Sequence, residues 1–113
     1  MKRIVSFICI LLMLLTMTAC GGNAAADDGK YYIGICQLVT HDALDAATNG
    51  FMEAVKAELG AENVEFDLQN AAGDSNTCAS IANAFVAAEV DLIMANATPA
   101  LQNAQAATAD IPI

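Results

Sequence analysis

The chain has 113 residues, of which 57% are hydrophobic and 15% charged, with four Lys/Arg against 13 Asp/Glu for a net charge of −9. That length supports one small core, and the acidic balance argues against a nucleic-acid-binding surface, because neutralising phosphates needs clustered Lys or Arg. There is no CxxC pair and no Cys/His cluster, so neither a metal nor another cofactor is expected.

Lys2 and Arg3 precede an almost wholly apolar run, Ile4 to Met17. This is the pattern of an export signal. The run is shorter than the roughly 20 residues a membrane span needs, and Ser6, Thr16 and Thr18 interrupt it or its end. A plain transmembrane anchor and an ordinary signal with Cys20 as a bystander are the other readings of the segment. Its end, Met17-Thr18-Ala19-Cys20 followed by Gly21-Gly22, resembles a bacterial lipobox. At such a motif the peptide is cut before the cysteine, which then carries lipid; two acyl chains hold a protein stably where one does so only marginally. The expected organisation is a signal peptide over residues 1–19, lipidated Cys20 and a flexible linker over 20–29, and a folded unit over 30–113, outside the cytoplasm and tethered to the membrane. Beyond Cys20, thirteen acidic residues face two cations, Lys30 and Lys56, a balance of −11. Such a surface stays soluble and does not adhere to anionic lipid by itself.

After the linker, Tyr31 to Leu38 is an apolar run of strand length. Leu44, Ala47, Phe51, Val55 and Leu59 then recur at helical spacing, and Gly60 is placed to end that helix. Val64 to Leu68 reads as a second strand. Cys78, Ile81, Ala82, Phe85 and Val86 form a second helical stripe, and Asp91 to Ala95 a third strand. Thr98-Pro99 opens a third helix, with Thr98 as N-cap and Pro99 in the first turn. Ile111-Pro112-Ile113 begins something strand-like. Alternation at this spacing predicts an α/β fold, a parallel sheet with helices on both faces and right-handed crossovers. A sheet that finished on a strand just begun would leave a bare edge, so the chain reads as a fragment of a longer protein.

In open α/β sheets ligands bind at the carboxyl ends of the strands, where helix N-termini point. Three loops qualify: Gln37 to Ala43, Asn70 to Ser75 and Asn96 to Pro99. Backbone N–H groups at the helix starts beyond them favour a carboxylate or another anion. His41 is either a solvated residue near a helix start or a wall of the cleft. Asp42 and Asp45 are expected as N-cap and first-turn acid of the first helix, and Asp74 with Ser75 as caps of the second. Asn70 and Asn96 end strands, where an amide can either hold a small molecule or form a turn. GxGxxG, GxxxxGK[ST] and GxSxG are all absent, and Ser75 and Ser80 have no base nearby in sequence, so no catalytic constellation is argued. Cys36 and Cys78 fall where they approach each other, either as two buried thiols or, outside the cytoplasm, as a disulfide.

The stretch Gln37-Leu38-Val39-Thr40-His41-Asp42-Ala43-Leu44-Asp45 with Gly50-Phe51 resembles the first loop and helix of ABC-transporter substrate-binding lipoproteins of the tryptophan/tyrosine-binding type. So do Asn70-Ala71-Ala72-Gly73-Asp74, Ile81-Ala82 with Phe85-Val86, and Asp91 to Ala100 followed by Asp110-Ile111-Pro112-Ile113. Thr40 and Asp42 depart from that pattern, which more often has an acidic residue and a proline there. The resemblance implies a two-lobed type I periplasmic-binding fold, of which this chain is most of the first lobe, with flavodoxin-like strand order 2-1-3-4. It implies capture of a small solute, an amino acid or related metabolite, between the lobes, and delivery to a membrane permease and ATPase. The residues it points to are Gln37, Leu38, Val39, Thr40 and His41; Asn70, Gly73 and Asp74; and Ala97 with Thr98, beside strand-ending Asn96. The chain has no Trp, and Tyr31 and Tyr32 lie at the far end of the first strand, so a stacking group comes from the other lobe or the ligand is not aromatic. A ligand-sensing lipoprotein of the same fold is the alternative function, and an enzyme a third.

Overall fold

The computed structural model describes residues 29–113; the expected signal peptide, lipobox and Cys20 lie outside the described residues. Three apolar segments form strands, β1 (Tyr31–Gln37), β2 (Val64–Asn70) and β3 (Leu92–Asn96), and three amphipathic ones form helices, α1 (Asp42–Leu59), α2 (Ser75–Ala87) and α3 (Thr98–Ala107). A 3₁₀ turn, Ala61–Asn63, leads into β2. The sheet is parallel in the order β2-β1-β3, the first three positions of the expected order.

Register explains the strand ends. β2 runs two residues past Leu68 because Gln69 and Asn70 pair with Cys36 and Gln37. β3 begins at Leu92 rather than Asp91, because Asp91 closes a clasp around Tyr32 instead. Its N–H donates to the Tyr32 carbonyl at 2.8 Å, and its carboxylate accepts from the Tyr32 N–H at 2.7 Å. The expected start of a fourth strand at Ile111-Pro112-Ile113 is not strand. One ladder-like bond is made there, from the Ile93 N–H to the Pro112 carbonyl at 2.9 Å, on the side of β3 away from β1.

Alternation along β1 sorts the core into two layers. Ile33 and Ile35 face α1 and pack with Val64, Phe51, Met52, Val55 and Phe66. Phe51 and Phe66 meet edge-on, with centroids 6.4 Å apart. Gly34 and Cys36 face the opposite way, toward α2 and α3. There Cys36, Cys78, Ile81, Ala82, Phe85 and Ile93 pack with Ala100 and Ala104, whose small side chains let α3 lie close. Gly34 has no room for a side chain: a Cβ would stand 2.6 Å from the Phe85 ring.

The stripe expected on α2 is buried at Cys78, Ile81, Ala82 and Phe85. On α1 the stripe needs correction. Ala47 is exposed and Thr48 takes its place as the buried residue of the helix, while Leu59 at the end is 39% exposed. Gly60 stops α1 as expected, at φ 88°, with its N–H donating to the Lys56 carbonyl at 3.0 Å.

Candidate functional site at the carboxyl ends of the strands

Each strand delivers its loop to the same edge of the sheet, and backbone bonds hold the loops together. The Ala71 N–H donates to the Gln37 carbonyl at 2.9 Å, Gly73 N–H to Leu38 O at 2.7 Å, and Leu38 N–H to Asn96 O at 3.2 Å. Across the first two loops, Asn70 Nδ2 donates to Thr40 Oγ1 at 3.1 Å. The three expected segments, Gln37–His41, Asn70–Asp74 and Asn96–Thr98, are therefore neighbours in space.

Beneath the loops lies a buried polar chain that runs from β3 through α1 to β1. Asn96 Nδ2 donates to Thr48 Oγ1 at 2.9 Å and to the Leu44 carbonyl at 2.8 Å. Thr48 Oγ1 in turn donates to Gln37 Oε1 at 2.7 Å. Gln37 Nε2 donates to Asp45 Oδ1 at 2.6 Å and to the Val39 carbonyl at 3.0 Å. Gln37, Thr48 and Asn96 are 4%, 1% and 7% exposed, and among the described residues no buried side-chain polar atom lacks a partner. A fully satisfied buried network rigidifies what it joins; here it fixes the ends of β1 and β3 against α1.

This sorts the predicted site residues by what their side chains are free to do. Gln37 and Asn96 are spent on the network, and half-buried Leu38 packs against the α2–α3 core layer. These contacts fix the edge on which the loops sit. Val39, Thr40, His41, Asn70, Gly73, Asp74 and Thr98 are exposed. Thr40 and Asn70 line a concavity of about 320 Å³, together with Gln37, Asp45, Thr48, Asn49 and Leu68. Asp45, Thr48, Asn49 and Leu68 are the members that the sequence reading did not assign to the site. A threonine on an otherwise apolar helix face is the signal, because a buried hydroxyl requires partners.

The helix caps also differ from expectation. The N-cap of α1 is His41, not Asp42: its backbone is extended, and its Nδ1 accepts from the Ala43 N–H at 3.2 Å. Asp42 falls inside the first turn, where its charge complements the helix dipole. Asp74 caps α2 as expected, accepting from the Asn76 N–H at 2.7 Å. Ser75 instead starts the helix and accepts from Asn103 Nδ2 at 3.0 Å, which ties α2 to α3. Thr98 is the first residue of α3, and the N-cap is Ala97, with no side-chain bond and with φ 98°, ψ 157°. Left-handed backbone at a non-glycine residue costs about 1–3 kcal/mol. Replacing Ala97 with glycine releases that strain at an entropic cost of about 0.5–1 kcal/mol. The expected result for Ala97→Gly is thus a rise in stability of about 1 kcal/mol, read from a denaturant midpoint at unchanged slope.

The N-termini of all three helices follow the loops at this edge; carboxylates already stand at those of α1 and α2, whereas α3 has no acid in its first turn and no side-chain cap, so its dipole favours an anion.

Comparison with known proteins places this geometry. Residues 32–113 match the family model described as ABC transporter substrate binding protein. The chain belongs to the ABC transporter substrate-binding protein family. It is 41% identical over 125 residues to a tyrosine-binding protein of Clostridioides difficile (strain R20291), an alignment covering 99% of this chain and 36% of that relative. Among solved structures, it resembles the ligand-free, open form of a substrate-binding protein with adhesive properties from Clostridium difficile. That match has TM-score 0.70 and 47% identity over 74% of this chain and 29% of the other. It also resembles the ABC domain from Streptococcus pneumonia in complex with L-Trp, with TM-score 0.67 and 35% identity over 74% of this chain and 28% of that one. The chain thus spans just over a third of the curated relative's length. Within the family it supplies part of one lobe, with the parallel sheet and flanking helices of these substrate-binding folds.

Proposed function

We propose that this chain contributes the first-lobe wall of a binding cleft in the substrate-binding component of an ABC importer, and that the solute is an aromatic amino acid such as tyrosine or tryptophan. The observation that carries the reading is the convergence of Val39–His41, Asn70–Asp74 and Ala97–Thr98 on one edge, in a chain of this family. The relatives support the ligand class, one being a tyrosine-binding protein and another a complex with L-Trp. In this reading the N-terminus of α3 receives the α-carboxylate, the Thr40–Asn70 concavity offers polar contacts, and the aromatic stacking partner comes from the facing lobe. The captured solute passes to a membrane permease and ATPase.

The test uses the complete parent protein and a panel of amino acids in thermal unfolding. A ligand at 100-fold excess over its Kd stabilises by about 2.7 kcal/mol. The expected result is a rise in melting temperature with tyrosine or tryptophan; a panel with no shift contradicts the proposal. The 113-residue chain alone is expected to bind more weakly than micromolar, because a single wall buries little of a ligand.

The same proposal places the protein outside the cytoplasm on a lipidated Cys20, on the strength of Lys2-Arg3, the apolar run and Met17-Thr18-Ala19-Cys20. Labelling cells with a fatty-acid probe should mark the protein, and Cys20→Ala should abolish the mark. Equal labelling of both forms contradicts anchoring at this residue.

A further inference from the structure

The geometry points to Asp45 as the residue that receives the α-ammonium group of the solute, on the reading of this edge as one wall of an amino-acid cleft. Asp45 is the carboxylate among the residues lining the concavity of about 320 Å³, which it shares with Thr40, Asn49 and Asn70. It stands in the first turn of α1 and is half-buried. Its backbone N–H is held by the His41 carbonyl at 2.8 Å, so the side chain alone meets what enters. Gln37 Nε2 donates to its Oδ1 at 2.6 Å. A carboxylate offers about four acceptor positions, so this bond orients the group and leaves Oδ2 for a ligand. Gln37 is itself 4% exposed and held by Thr48, which keeps that orientation fixed. The other acids near the edge are placed differently. Asp74 is engaged in capping α2 through the Asn76 N–H, and Asp42 does not border the concavity.

A zwitterion needs two opposite poles close together, and the network supplies that closeness. The start of α3 is the positive pole, with no acid in its first turn and no side-chain cap. Asn96 Nδ2 donates to the Leu44 carbonyl at 2.8 Å. Leu44 immediately precedes Asp45, and Asn96 immediately precedes Ala97, the cap of α3. Asp45 and the start of α3 are therefore neighbours across one hydrogen bond. An α-amino acid carries its ammonium and its carboxylate on a single carbon, and this pair of poles matches it. Selection follows. An aromatic acid without the amine satisfies α3 but leaves the half-buried Asp45 carboxylate facing the ligand with no cation, and that unpaired group discriminates against it.

The test is titration calorimetry of the complete parent protein and its Asp45→Asn variant with L-tryptophan and L-tyrosine, and with the matching 3-arylpropanoates that lack the amine. Asparagine keeps an acceptor for Gln37 Nε2 and removes only the charge. The parent should bind the amino acids more tightly than the amine-free acids. In Asp45→Asn the amino acids should lose roughly 10- to 100-fold in affinity, while the arylpropanoates bind no more weakly than to the parent. Their binding doubles as the control that the variant is folded. Asp45→Glu, which restores the charge, should recover part of the loss. An equal loss for both ligand sets, or full discrimination retained without the Asp45 charge, overturns the assignment and leaves the cleft standing. A parent that binds neither amino acid overturns the cleft reading itself, and the assignment with it.

Discussion

Thr48→Val lowers the melting temperature by roughly 10 °C, corresponding to about 2 kcal/mol in a domain of this size. The substitution preserves shape and removes one hydroxyl. That hydroxyl both donates to Gln37 Oε1 and accepts from Asn96 Nδ2. Its loss leaves a carbonyl oxygen on a residue only 4% exposed without its donor. Asn96 keeps its bond to Leu44 O, which limits the cost on that side. Thr48→Ser keeps the hydroxyl and loses a buried methyl, at about 1 kcal/mol. Thermal unfolding of the two variants should therefore rank serine above valine. Valine equal to or above serine means that the polar chain does not hold the site edge.

Gly34→Ala is expected to destabilise by about 1–3 kcal/mol through overpacking. The added Cβ would stand 2.6 Å from two ring carbons of Phe85 and 2.9 Å from a third, and that ring is 1% exposed with nowhere to retreat. The sign is informative. Glycine to alanine within a strand interior ordinarily helps, because glycine loses more entropy on folding. A loss here reports the close approach of α2 to β1 and nothing else. Combining Gly34→Ala with Phe85→Leu should cost less than the sum of the single changes, by about 0.5–3 kcal/mol of coupling. A stability for Gly34→Ala at or above that of the parent chain contradicts the packing of Phe85 over β1.

Much of the architecture is legible in residue order because its signals are local. The apolar run Tyr31–Leu38 and the stripe Cys78, Ile81, Ala82, Phe85 show period and length directly, and strand–helix alternation then dictates a parallel sheet whose carboxyl edge gathers the loops. What was not legible depends on partners distant in the chain. Ala47 and Thr48 compete for one place on α1, and only the amides of Gln37 and Asn96, on two different strands, give a buried threonine its bonds. In sequence those amides look like ligand groups, and the structure shows them bonded to Thr48. The caps at His41 and Ala97 displaced Asp42 and Thr98 by one residue each, since a cap is defined by where the backbone leaves helical geometry, which tertiary contacts decide. The last two residues of β2 belong to the strand through pairing with β1 rather than through their own propensity, since neither is β-branched or aromatic and Asn70 is a poor strand former.

The most direct test of the central claim, that the carboxyl edge of this sheet is a ligand-binding wall, is an amide chemical-shift titration of the labelled chain with L-tryptophan and L-tyrosine at high concentration, where weak binding is still visible. The account predicts shifts confined to Val39–His41, Asn70–Asp74 and Ala97–Thr98. Shifts at the opposite end of the strands, around Tyr32, Glu65 and Val90, or none at saturating ligand, would contradict it.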